Sequence, residues 1–332
     1  MRTMMLIDTD TASDDAVALI MALEHPDIDV LAITTVAGNV SLAQASSNAR
    51  YTVELCGHDT PVYEGAPRPL LRAPARAEFF HGSDGMSDLH NPPPQRPAQP
   101  QHAVNTIIDT LRAHPGIVLV TLGPLTNIAM AVTQAPDIVA KVSRCVVMGG
   151  VACTVGNITP AAEYNIWCDP EAARICLHSG LPIELVGWEN CRGEANLTAA
   201  ELEQMRSGIN TRKAQFAIDC NRVGYQVNCE WLGEPGLALP DPVAMAVAID
   251  PTICTRRSRH FVDIECQGEL TRGMTVVDQL DVVSQALRDG SLDQQDNLAA
   301  WRPLAARGAA NAEICWQIDA RRWKELLYQC LR

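Results

Sequence analysis

The sequence predicts an α/β fold: an open, mostly parallel sheet with helices on both faces, plus a helical and small antiparallel elaboration. Two observations predict it. Short apolar runs of strand length alternate with helix-period segments from residue 4 to residue 187, the rhythm of βαβ units. The first run, Met4-Met5-Leu6-Ile7, is apolar throughout, as a strand covered on both faces has to be. No linker interrupts the chain, so residues 1–332 are read as one domain without internal repeats.

After its first strand the chain passes at once into Asp8-Thr9-Asp10-Thr11-Ala12-Ser13-Asp14-Asp15, four carboxylates within eight positions. Like charges this close repel one another. A bound hard cation is the simplest compensation, and carboxylate oxygens suit Ca²⁺ or Mg²⁺. The plainer alternative is a solvated turn in which Asp14 and Asp15 favour the helix N-terminus. That helix is marked by Ala16, Val17, Leu19, Ile20 and Leu23, with Ser13 and Asp14 as N-cap candidates. In open α/β sheets, ligands bind where turns leave the carboxyl ends of strands.

Residues 30–36 form a second strand ending at Ala37-Gly38-Asn39. Asn39 there either faces a ligand or simply makes the turn. A helix over 43–55 follows. Residues 64–102 carry eight prolines, which forbid a long helix, and so long a loop is usually functional or disordered. It holds His81-Gly82-Ser83-Asp84-Gly85-Met86, where His81 is a general acid or a loop histidine without a task.

The alternation resumes with a helix over 103–113 and a strand over 117–122. Gly123-Pro124-Leu125-Thr126-Asn127 makes a turn into a helix reaching Gln134, and the strand 142–148 ends in Gly149-Gly150. The loop 151–168 holds Asn157, Glu163 and Asn165; as an extended stretch it would point Glu163 and Asn165 the same way. Pro170 opens a helix at its favoured first position, and 182–187 is a strand. Beyond Trp188 come a helix over 198–206 with a Thr198/Glu201 capping box, a helix over 210–223, and a helix over 243–249 introduced by Asp241-Pro242. Segments 259–266 and 274–277 alternate like a hairpin or small sheet, and 313–318 and 319–331 give a last strand and helix.

Composition narrows the function classes. A net charge of −13 argues against a nucleic-acid partner. No apolar stretch is long enough to span a bilayer, and Asp8 interrupts the N-terminal apolar run before it resembles a signal peptide. The 12 cysteines include no Cys-x-x-Cys pair and are scattered through apolar segments, which suggests reduced thiols in the cytoplasm.

The motifs together resemble the nucleoside hydrolase family, the inosine- and uridine-preferring nucleoside N-ribohydrolases. They are Asp8-Thr9-Asp10-x-x-x-Asp14-Asp15-Ala16, Thr34-Thr35-Val36-Ala37-Gly38-Asn39, Gly123-Pro124-Leu125-Thr126-Asn127, Met148-Gly149-Gly150, Gly156-Asn157 with Ala162-Glu163-Tyr164-Asn165, Asp169-Pro170-Glu171-Ala172, and Asp241-Pro242. They fall in the family's order and spacing across residues 4–246, and His81-Gly82-x-x-Gly85-Met86 and Thr275-Val276-Val277-Asp278 extend the match.

The resemblance implies the nucleoside hydrolase fold and Ca²⁺-dependent hydrolysis of ribonucleosides to ribose and free base. It implies that Asp10, Asp15, the backbone carbonyl of Thr126, and Asp241 hold one Ca²⁺, with Asp10 also taking a proton from a water on that ion. Asp14, Asn39, Met148, Asn157, Glu163 and Asn165 would hold the ribose, with Asp8 behind the ligands. The partner would be a small-molecule ribonucleoside, and the assembly a homodimer or homotetramer. The chemistry needs these residue types. Breaking a ribose–base bond builds positive charge at the anomeric carbon, a cation acidifies water for a neighbouring carboxylate, and polar groups around the sugar fix its orientation.

The chain also departs from the pattern. Where many members carry a histidine as leaving-group acid, it has Pro240, which has no proton to give. His81 is one replacement, and Tyr225, Glu230 and Trp231 are candidates to line the base pocket. Thr11-Ala12 stands where Pro-Gly is common, which changes the turn but keeps every carboxylate. Two rivals stay open. A haloacid-dehalogenase-type phosphatase would use Asp8 as nucleophile in Asp8-Thr9-Asp10-Thr11; none of Lys141, Lys213 and Lys324 precedes the acidic motif it needs. A riboside-binding relative without turnover is supported only by Pro240.

Overall fold

Strand β1 (Thr3–Thr9) lies inside an eight-stranded sheet with β2 (Ile28–Thr35) on one side and β4 (Ile117–Thr121) on the other. Beyond β2 comes β3 (Val62–Glu64); beyond β4 come β5 (Val142–Met148), β6 (Ile183–Val186), β10 (Ala312–Ile318) and β7 (Cys254–His260). All neighbours run parallel except β10 with β7. This computed structural model describes residues 2–280 and 309–332.

The chain builds outward from β1 to β2 and β3, then returns to β1's other side as β4. The order in which the chain adds strands reverses between the parallel neighbours β1 and β4, which opens a crevice at their carboxyl ends. Asp8 is level with Thr34 on β2 and Thr121 on β4, and Leu122 N donates to Asp8 O at 2.8 Å. The acidic turn therefore leaves the sheet at that crevice.

Both faces are covered. Met5 and Ile7 of β1 and Val118 and Val120 of β4 pack with helices α1 (Ser13–Glu24) and α11 (Pro240–Ile249) and the C-terminal helix α12 (Ala320–Leu331). Leu6, Ile117 and Leu119 face the other way, toward α4 (Ala103–Ala113), α5 (Thr126–Gln134) and α7 (Pro170–His178). Each such fully buried side chain contributes roughly 1.5–3 kcal/mol relative to exposure. This is why α1 and α11 are apolar nearly all round and pack directly on each other.

Several expectations are corrected. Ala12, not Ser13 or Asp14, is the N-cap of α1; Asp15 reaches back to accept from Ala12 N at 2.9 Å, a bond only a residue three places inside the helix makes. The region 64–102 is not all loop: it continues from β3 and contains α3 (Glu78–His81), too short to show a helical period. The helix expected over 210–223 is two, α9 (Arg212–Asp219) and α10 (Arg222–Glu230); the Asn221 side chain donates to Ala217 O and Ser13 O at the break. The small sheet expected over 259–266 and 274–277 is present as the antiparallel pair β8 (Val262–Ile264) and β9 (Thr275–Val277), while Arg259 and His260 end β7 in the main sheet. The capping box of α8 (Ala199–Gly208) is present as read, with Thr198 and Glu201 exchanging bonds.

Candidate active site

The carboxyl ends of β1, β2, β4 and β5 and the start of α11 surround one cleft of about 870 Å³, part of it open to solvent. Asp14, Asn39, Met148, Asn157, Glu163, Asn165 and Asp241 all line it, with His81 and Trp231. Tyr225 and Glu230, also proposed for the base pocket, do not; of that group only Trp231 does.

The acids sit at the cleft floor. Oxygen atoms of Asp14, Asp15 and Asp241 lie within 4.8 Å of one another. The packing of α1 against α11 brings residue 241 to residues 14 and 15. Asp10 stands beside this trio: Asn39 N donates to its Oδ2 at 2.5 Å, and Asp14 and Asp15 both raise its proton affinity. Backbone closes around it, since a Cβ on Gly38 would overlap Asp10 Oδ2 and one on Gly123 would stand 2.7 Å from Oδ1. The trio thus includes Asp14, expected on the sugar, and leaves Asp10 as its neighbour.

All four acids are buried and destabilised as anions. Burial and then Asp14's charge lift Asp15 to about 6. Burial lifts Asp14 to about 6 as well. Asp10 and Asp241 are pushed well above the usual carboxylate range by burial and then by Asp15. The carboxylate oxygens of Asp14 and Asp241 lie within 4.8 Å of each other. Asp10 Oδ1 and Asp14 Oδ1 are buried without a hydrogen-bond partner. Crowded hard oxygens, two of them unsatisfied, are what a hard divalent cation satisfies. The donor set fits one.

The surrounding groups hold these acids in place. Thr9 Oγ1 donates to Asp15 at 2.5 Å. Asp8, fully buried behind the site, accepts from Thr34 Oγ1 at 2.5 Å and Asn127 Nδ2 at 2.8 Å, and burial still lifts it to about 7. Thr126 begins α5 with its hydroxyl donated to Asp169 Oδ2 at 2.6 Å.

The opposite wall is polar. Glu163 and Asn165 are not in an extended stretch: Glu163 is the N-cap of α6 (Tyr164–Cys168), accepting from Asn165 N at 2.7 Å and Ile166 N at 3.1 Å. The two side chains share the cleft through a helical turn instead of alternation. Glu163 also accepts from Gly150 N at 2.9 Å, and burial lifts it to about 7. Asn165 Nδ2 donates to Leu122 O at 2.8 Å and contacts Met148 O and Sδ. Asn157 is exposed at the rim, where its Oδ1 accepts from Tyr164 N at 2.9 Å.

The mouth is apolar and aromatic: Phe79, Phe80, Trp188, Trp231 and Leu232. Sequence reasoning missed all of these but Trp231. His81 is buried, with Nδ1 2.7 Å from Ser13 Oγ and 3.9 Å from Asp14 Oδ1. Burial lowers its pKa to about 4, so the ring is neutral near pH 7. An imidazolium acid at this position is therefore not what the surroundings favour.

An open parallel sheet with a buried acidic, cation-fitting cluster at its switch point, facing a polar wall, defines an α/β protein with a site for a small molecule. The family model described as "Inosine-uridine preferring nucleoside hydrolase" matches residues 5–325, and the chain belongs to that family. It is 40% identical over 280 residues to the inosine-uridine preferring nucleoside hydrolase of Leishmania major, covering 82% of this chain and 87% of that one. It is 38% identical over 281 residues to the pyrimidine-specific ribonucleoside hydrolase RihA of Salmonella paratyphi A, covering 82% and 88%. Its fold matches the purine-preferring ribonucleoside hydrolase from Gardnerella vaginalis with a TM-score of 0.85 at 28% identity, covering 99% of this chain and 98% of that one.

Proposed function

We propose that this chain hydrolyses the N-glycosidic bond of ribonucleosides, releasing ribose and free base, with Ca²⁺ as its cation. The observation that carries the reading is the convergence of Asp14, Asn39, Glu163, Asn165 and Asp241, from four separate segments, on one cleft. The printed activities of the relatives support the same reaction.

Asp15 and Asp241, together with Asp10 and the Thr126 carbonyl, would hold the cation, and Asp14, whose carboxylate lies within 4.8 Å of those of Asp15 and Asp241, would be close enough to share it. When bound, the cation neutralises the crowded carboxylates and acidifies a water molecule. Asp10 accepts a proton at Oδ1, the oxygen that lacks a partner, while Asn39 N keeps Oδ2 fixed. Glu163, Asn165, Asn39 and Asp14 orient the sugar, and their negative charge favours the cationic character that grows at the anomeric carbon. The base lies against the aromatic mouth. In the tautomer in which Ser13 Oγ donates to His81 Nδ1, 2.7 Å away, the neutral ring presents an Nε2 proton as a hydrogen-bond donor to the departing base.

The protein works as one domain, as a homodimer or homotetramer, and its twelve cysteines, none in a disulfide, suit a reducing cytoplasm. Among the described residues no helix is long and apolar enough to cross a membrane. Incubation with uridine, cytidine, inosine and adenosine, followed by an assay for free ribose, tests the proposal. Ribose release is expected; binding without release would favour a riboside-binding protein instead.

A further inference from the structure

Gly224 lies in the first turn of α10 with ordinary helical dihedrals, so its backbone has no need of glycine. A glycine inside a helix costs about 0.5–1 kcal/mol relative to alanine. What uses the absent side chain is Phe80. A Cβ at position 224 would stand 3.0 Å from Phe80 Cε1, 3.4 Å from Cζ and 3.6 Å from Cδ1. The ring also packs edge-on against His81, with centroids 5.0 Å apart. Phe80, His81, Val227 and Trp231 all line the cleft, and 224, 227 and 231 follow one face of α10.

Neither partner is free to slide away. Ser87 Oγ donates to Cys220 O at 2.7 Å and accepts from Val223 N at 3.0 Å, and Arg222 donates to Ser87 O at 3.0 Å. These bonds fasten the loop after α3 to the start of α10. An added methyl is then relieved by moving the ring, and the open side of the ring is the cleft.

We propose that Gly224 determines base specificity: the space it leaves lets the Phe80 ring withdraw, and so sets the size of leaving base the aromatic mouth admits. This rests on the ribonucleoside reading of the same cleft. Gly224→Ala pushes the ring inward, which disfavours a two-ring purine more than a one-ring pyrimidine, while the sugar end, built from other segments, is untouched.

The test compares KM and kcat for inosine and uridine, and inhibition by free ribose, in the parent, Gly224→Ala and Gly224→Ala/Phe80→Leu. In Gly224→Ala the inosine KM is expected to rise about tenfold and the uridine KM less than about twofold. The ribose inhibition constant stays within about twofold, and the thermal midpoint does not fall, as a helix-favouring alanine implies. Trimming Phe80 to leucine restores the parent's inosine-to-uridine ratio. An unchanged ratio in Gly224→Ala, or a changed ratio that the second substitution leaves in place, would overturn the gate while the hydrolase reading stands. If the parent releases ribose from neither nucleoside, the hydrolase reading falls and the gate with it.

Discussion

The Asp10 carboxylate accepts the Asn39 backbone N–H at 2.5 Å, joining the turn after β1 to the turn after β2. One oxygen is thereby fixed, and the other is left buried without a partner. This arrangement suits a group that takes up a proton. Asp10→Ala is expected to lower kcat/KM for ribose release by at least about 10³-fold. Circular dichroism should show the fold intact. Full activity in this variant would remove Asp10 from its role.

Gly38 makes that geometry possible, because a side chain there would occupy the position of Asp10 Oδ2. Gly38→Ala should displace the carboxylate and cut kcat/KM by roughly 10²-fold, at a stability cost of about 1–3 kcal/mol. Gly57→Ala, with nothing near its Cβ but a positive φ of 72°, is the matched control: strained backbone, unaffected kinetics. Equal kinetic loss in both would mean that Gly38 matters only for folding.

Glu163 accepts three backbone amides, from Gly150, Asn165 and Ile166. Glu163→Gln replaces one acceptor oxygen with a donor and forces at least one of these contacts apart. The expected result is a KM raised about tenfold with a smaller change in kcat, read from steady-state kinetics with uridine. A pure kcat loss would place Glu163 at the reacting bond instead of on the sugar.

Without a cation, Asp14 and Asp15 are lifted to about 6 from the ordinary 3.8, and Asp10 and Asp241 are raised too. A carboxyl whose folded pKa exceeds its unfolded value stabilises the fold fully below the unfolded value. It loses that contribution as pH rises through the folded one. The cluster therefore destabilises the cation-free protein progressively between about pH 4 and 6. Protons and cation compete for the same oxygens. The rise in Tm on adding Ca²⁺ should accordingly be small near pH 5 and large near pH 7.5, where a hundredfold excess over Kd corresponds to a stabilisation of roughly 2.7 kcal/mol. Calorimetry across that range checks it; a shift independent of pH would put the ion elsewhere.

The central sheet was legible because most of β1, all of β4 and the end of β5 from Cys145 to Met148 are apolar runs with both faces buried, a pattern fixed by covalent order alone. The acids at positions 8 to 15 were visible for the same reason. Their meeting with Asp241 depends on α1 packing against α11, which local sequence does not encode; only the family resemblance pointed to it. Glu163 and Asn165 were singled out with the wrong geometry, since a five-residue helix shows too little period to displace a strand reading. Phe79 and Phe80 were hidden for the same reason, within α3 in a proline-rich segment. The clearance at Gly224 depends on a ring 144 positions away in the chain, the distance from 80 to 224.

The most direct measurement is ribose release from uridine and inosine by protein treated with a chelator, before and after Ca²⁺ is returned. Release should stop on chelation and recover with the ion. Undiminished release from the metal-stripped protein, or no release in either state alongside phosphate release from phosphate esters, would contradict the account.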